Sequence, residues 1–160
     1  MRLAAMALIG TPVLAGPAFG GGPGAEGDVF DVWSGACSAG SYTADASGRT
    51  PYPCTAMMHL AMAAEPGHEL LIFVIKGDEG TQNGKMLGVG GMIDSKGDLQ
   101  VARVQFKPGE STQMQPGAAC KITRNGDAIQ RVQCSGTASD GSGRALALDF
   151  AATGKMDIPK

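Results

Sequence analysis

Four cysteines, Cys37, Cys54, Cys120 and Cys134, constrain this chain more than any other feature. They follow an N-terminal stretch that has the layout of an export signal. Arg2 supplies a short positive region. Leu3 to Leu14 is uncharged and largely apolar, small residues follow at Ala15, Gly16 and Ala18, and no acid occurs before Glu26. This pattern predicts a signal peptide over 1–18 with cleavage after Ala18. The alternative, a buried N-terminal helix, is opposed by Gly10, Pro12, Gly16 and Pro17, which interrupt helices. The apolar run is shorter than the roughly 20 residues that span a bilayer, so no stable membrane span is expected after cleavage. Residues 19–27, rich in glycine, read as a flexible lead-in. Residues 28–160 then form one domain by length, placed in the periplasm or secreted.

An even number of cysteines in a small exported domain reads as a disulfide framework. Four cysteines allow three connectivities. Cys37–Cys54 with Cys120–Cys134 is favoured because each pair brackets one local segment. Each closed loop of about 15 residues contributes about 3 kcal/mol in the chain-entropy model. The absence of any C-x-x-C argues against a redox pair or a zinc knuckle.

Composition narrows the function. Loss of Arg2 with the leader leaves 12 basic against 15 acidic residues, a charge of −3. A nucleic-acid partner is not expected without a basic field. The 25 glycines and nine prolines point to short elements joined by many turns.

The strongest strand signal is Glu69 to Lys76, whose run Leu70 to Ile75 is continuously apolar, as in a strand buried on both faces. Met86 to Ile93 is a second strand, with Gly88, Gly90 and Gly91 marking a bulge, bend or close backbone approach. Asp94 to Asp98 reads as a hairpin turn with Gly97 in the left-handed position, pairing Ile93 with Leu99. Leu99 to Phe106 alternates as a strand should. Further strands are expected over Asp28–Ala36, Ala119–Thr123, Ala128–Ser135 and Ala145–Ala151. The segments Ser38 to Pro53 and Pro108 to Gly117 read as loops. Cys54 to Ala64 (CTAMMHLAMAA), rich in Ala, Met and Leu, is predicted as a short helix ended by Pro66-Gly67. The expected fold is mainly β: a small antiparallel sandwich or barrel of about six to seven strands, one short helix over 54–64, stabilised by disulfides. One conflict is internal to this reading. A two-residue Asn125-Gly126 turn would set Cys120 opposite Arg131, so a Cys120–Cys134 bridge requires a loop centred on Asp127 or a bulge.

Candidate chemistry is sparse. Met57, Met58, His59 and Met62, with His68 nearby, offer thioether and imidazole ligands suited to copper(I). On a helix Met58 and Met62 would share a face. The competing reading is ordinary core packing. Asp78, Glu79, Asp94, Asp98, Asp127 and Asp140 could supply oxygens to a hard cation, or simply bond their own turns. No G-x-S-x-G or H-E-x-x-H motif occurs, and no catalytic residue stands out. Trp33 is expected to pack on a disulfide. Tyr42 and Tyr52, in the loop closed by Cys37 and Cys54, could form a partner-binding surface, or Tyr52 could fold back on its own loop. The order Trp33, Cys37, Cys54 and apolar strand resembles the invasion-associated locus B type of small periplasmic protein over the first half of the mature chain. The Cys120–Cys134 spacing departs from that pattern, and no residue role is carried over.

These observations point to an exported, non-enzymatic binding or accessory protein whose partner is another protein or a small ligand. The alternatives are a periplasmic metal-binding protein, with a metal ion as its cofactor, and a small hydrolase.

Overall fold

The computed structural model describes residues 27–76 and 85–158, in which the backbone forms eleven β-strands. They are β1 (Val29–Cys37), β2 (Tyr42–Asp45), β3 (Gly48–Pro51), β4 (Ala56–Ala61), β5 (His68–Ile75), β6 (Lys85–Ile93), β7 (Leu99–Lys107), β8 (Glu110–Gln113), β9 (Ala119–Asn125), β10 (Ala128–Thr137) and β11 (Ala145–Met156). Eight of them, in the order β1-β4-β5-β6-β7-β9-β10-β11, close on themselves through β1–β11 as an antiparallel barrel. The β2–β3 hairpin extends from the start of β11, and β8 pairs with the end of β7. The expected leader and most of the lead-in lie outside the described residues.

The strand count exceeds the expected six to seven because two segments that look like loops are paired. Ser38 to Pro53 contains the β2–β3 hairpin, and Pro108 to Gly117 contains β8. The short helix expected over 54–64 is instead β4. Its helix-favouring composition is worth at most about 0.7 kcal/mol per residue. Against this stand six paired positions with β1 and six with β5. A helix here would leave both neighbouring strands with open edges.

Alternation along the strands sorts side chains into an interior and an exterior. Met57, Leu71, Phe73, Leu87, Val89, Leu99, Val104, Val132 and Phe150 are fully buried inside, filling a barrel of the size that side chains alone can fill. Phe73 and Phe150 meet edge to face at 6.1 Å. Trp33 belongs to this core, and its indole N–H has no hydrogen-bond partner among the described residues. The outer face of β5 is only half-buried: Leu70, Ile72 and Val74 lie beside Leu60, Met58 and Ala56 of β4.

Two glycines let the strands bend into closure. Gly35 and Gly91 sit at register shifts in β1–β11 and β6–β7, where a Cβ would come within 2.2 Å of Ala151 O and 1.9 Å of Gln100 O. Bulges of this kind introduce the curvature that a barrel needs.

Both disulfides pair as expected, Cys37–Cys54 and Cys120–Cys134. Gly126, at φ 58°, and Asp127 form the β9–β10 turn, with Asn125 opposite Ala128. Glycine suits the first central position of a type II′ turn. This turn alone would set Cys120 opposite Gln133, and a one-residue bulge between Ile129 and Arg131 brings Cys134 opposite Cys120. The β6–β7 hairpin has the expected Ile93–Leu99 pairing, with Gly97 at φ 83°.

Candidate functional site

At one end the described residues do not seal the barrel. Pairing on β7 passes from β9, opposite Leu99 and Gln100, to β8, opposite Arg103 and Val104. On β11 it passes from β2, opposite Ala145 to Ala147, to β1, opposite Phe150 to Met156. The ladder therefore splays at this end, and a cavity of about 820 Å³ opens there. Such a volume falls within the range of small-molecule sites.

The cavity wall comes from segments distant in sequence. The loop closed by Cys37–Cys54 contributes Thr43 to Ser47, Thr50, Pro51 and Tyr52; the strand ends of β5, β6 and β7 contribute Ile75, Lys85, Met86, Leu87, Phe106 and Lys107. Pro108, Ser142 and Arg144 complete it. The lining is mainly apolar, with charge confined to a few side chains.

Tyr52 anchors the loop wall. It is 7% exposed, and its hydroxyl donates to Phe73 O at 3.0 Å, with Lys85 O at 3.4 Å. Its own N–H donates to Ser41 O. Burial pushes the phenol well above its usual pKa, because the phenolate would lose its hydration. Tyr42 stands apart on β2, stacked under the Arg49 guanidinium at 4.3 Å. Of the two tyrosines considered for a partner surface, Tyr52 lines the cavity, while Tyr42 is half-buried beneath a cation.

Arg144 holds the far side. Its guanidinium donates to Glu110 and to Thr112 Oγ1, and lies over the Phe106 ring at 6.0 Å. Asp45 accepts from Ser47 N and Ser47 Oγ, and the hydroxyl bond is the main reason its carboxyl lies below the usual range. Lys85 and Lys107 have no ion-pair partner among the described residues.

The Met/His cluster is dispersed by strand alternation. Met57 and His59 point into the barrel, whereas Met58 is on the outer face. Met62 and His68 line a separate outer hollow of about 360 Å³. His59 is bonded to Glu69 at 2.7 Å, and no hydroxyl bonds to it among the described residues. Three of the turn acids likewise accept N–H groups. Asp94 accepts from Lys96 N, Asp98 N and Gln100 Nε2; Asp98 accepts from Ile122 N; Asp140 accepts from Ser142 N. Backbone donors lower the Asp94 carboxyl, and the Ser142 side chain lowers that of Asp140. Asp78 and Glu79 lie outside the described residues. Among the described residues no three His, Cys, Asp or Glu side chains could together hold a metal ion.

No family model, curated protein or solved structure matches the chain.

Sequence reasoning reached Tyr52 and the disulfide beside it, but not Lys85, Phe106, Lys107 or Arg144. Phe106 and Lys107 end an alternating strand and look like any other strand terminus. Only barrel closure brings them to the same opening as the β2–β3 hairpin.

Proposed function

We propose that this chain is an exported, non-enzymatic binding protein that takes a small, largely apolar molecule into the open end of its barrel. The observation that carries this reading is the 820 Å³ cavity, walled by Ile75, Leu87, Phe106 and the Tyr52 ring. Small-ligand sites are characteristically concave and apolar with a few placed polar groups, and barrel mouths are a preferred location. Two disulfides, and the lack of any helix among the described residues long and apolar enough to cross a membrane, accord with an oxidising compartment outside the cytosol.

The test uses a neutral environment-sensitive fluorophore, N-phenyl-1-naphthylamine, titrated into the purified protein. Saturable binding is expected, abolished by Thr50→Trp, which fills the cavity from an exposed β3 position. Failure of the unaltered protein to bind saturably would overturn the reading. Export has its own check: the intact mass of protein recovered from outside the cytoplasm should begin at Phe19, and retention of the leader would contradict it.

A further inference from the structure

We infer that the molecule held at the barrel mouth is a single-chain anionic amphiphile whose headgroup is recognised by Lys85 and Lys107. This rests on the binding-protein reading above and assigns the chemical class of the ligand.

Among the described residues, four charged side chains line the cavity: Asp45, Lys85, Lys107 and Arg144. Two of them are committed. Arg144 is bound by the Glu110 carboxylate and the Thr112 hydroxyl. Asp45 is held by the backbone and side chain of Ser47, on the hairpin wall. The lysines have no ion-pair partner among the described residues, and both lie at the same end of adjacent strands. Gly88 on β6 is paired with Gln105 on β7. Lys85 lies three residues before the first, and Lys107 two residues after the second, so both stand at the rim. Tyr52, whose hydroxyl donates to Phe73 O with Lys85 O at 3.4 Å, ties the loop wall to the strand ends at this rim.

Below this rim the wall is apolar: Leu87 is fully buried, with Ile75 and Phe106 half-buried beside it. An apolar chain can enter this bed while its anionic end stays at the opening beside the two lysines. Keeping the headgroup at a solvated rim avoids the cost of desolvating a charge in the interior. A neutral apolar molecule would leave the lysines unused, and a cationic one would meet their repulsion. Lysine ammonium groups act as point charges rather than planar forks, so they accept carboxylate and phosphate heads alike.

The experiment measures affinities of the purified protein by calorimetry for four probes of equal chain length: dodecanoate, dodecyl phosphate, dodecanol and dodecyltrimethylammonium. At least one anion is expected to bind about five- to tenfold more tightly than the alcohol, the scale of two exposed charge pairs, and the cation most weakly. The tighter anion identifies the headgroup. The preference should shrink in 1 M salt, where screening acts over about 3 Å. The double variant Lys85→Glu/Lys107→Glu should invert the order, binding the cation more tightly than either anion. That gain distinguishes it from a variant that has merely unfolded. Equal binding of alcohol and anions by the unaltered protein, or an unchanged order in the double variant, overturns the headgroup assignment while the cavity reading stands. If no probe binds, the cavity reading fails too.

Discussion

Replacing Gly35 with alanine should damage the seam that closes the barrel. The new methyl would lie 2.2 Å from Ala151 O and 2.5 Å from Phe150 Cζ. To reach ordinary contact at 3.4 Å the carbonyl must retreat by 1.2 Å. Ala151 is paired with Ala36 on β1 and with Arg131 on β10, so it cannot move alone. Phe150 is equally confined, being fully buried against Phe73. Overpacking of this kind costs about 1–3 kcal/mol. Disturbing the aromatic pair adds about 0.5–1.5 kcal/mol, and one lost seam hydrogen bond about 1 kcal/mol. The total, about 3–5 kcal/mol, is a large fraction of the roughly 5–15 kcal/mol that holds a domain folded. At about 3–4 °C per kcal/mol for a domain of this size, melting should fall by about 9–20 °C. Far-UV circular dichroism gives the melting temperature, and fluorescence of the single buried Trp33 follows urea unfolding. Gly40→Ala is the control, because nothing lies within 4 Å of its would-be Cβ, and it should stay within about 0.5 kcal/mol of the parent. If Gly35→Ala melts within 2 °C of the parent, β1 and β11 do not approach as described and the closed seam is wrong.

Three other outcomes follow from the same structure. Met57→Ala should cost about 2–5 kcal/mol as a core truncation, whereas Met58→Ala on the outer face should cost no more than about 1 kcal/mol; equal losses in urea titrations would argue against strand alternation in β4. Tyr52→Phe should cost about 1 kcal/mol at neutral pH. Because the folded Tyr52 phenol titrates above the unfolded value of about 10, its share of stability is full below pH 10 and declines as pH rises beyond it. The variant should therefore lose less stability than the parent between pH 9 and 11, and parallel curves would contradict the buried phenol. Removing either disulfide as a paired Cys→Ser variant should cost about 3 kcal/mol. Only loss of Cys37–Cys54, which closes the loop walling the cavity, should also weaken fluorophore binding under conditions where the variant remains folded; equal weakening by both would detach that loop from the site.

Local signals explain what the sequence could disclose. The Ile93–Leu99 hairpin was legible because Gly97 and the flanking alternation act within a few residues. The disulfide pairing was legible because each bridge spans a short segment. Even the conflict between the Asn125-Gly126 turn and Cys134 could be stated in advance; the turn at Gly126-Asp127 and the bulge at Ile129–Arg131 together resolve it. The segment Cys54 to Ala64 misled because Ala, Met and Leu report intrinsic preference, while β1 and β5 supply the hydrogen bonds that decide its conformation. The Met/His cluster depended on that helix, and alternation on a strand separates its members. The two hidden pairings, β2–β3 and β8, lie in short polar segments without long periodic runs. The cavity was least legible, since it exists only where the β2–β3 hairpin, three strand ends and the turn around Ser142 and Arg144 meet.

On the proposal made above, the open barrel end, and no other surface, receives an anionic amphiphile. Amide chemical shifts from two-dimensional ¹H–¹⁵N spectra during titration with dodecanoate, and in parallel with dodecyl phosphate, locate the bound molecule residue by residue. Saturable shifts with the tighter-binding of the two, concentrated at Thr50, Tyr52, Lys85, Leu87, Phe106 and Lys107, are expected. Shifts concentrated instead at Phe30, Leu60, Leu70 and Met92, on the outer face and the opposite end, or no saturable shifts with either, would contradict it.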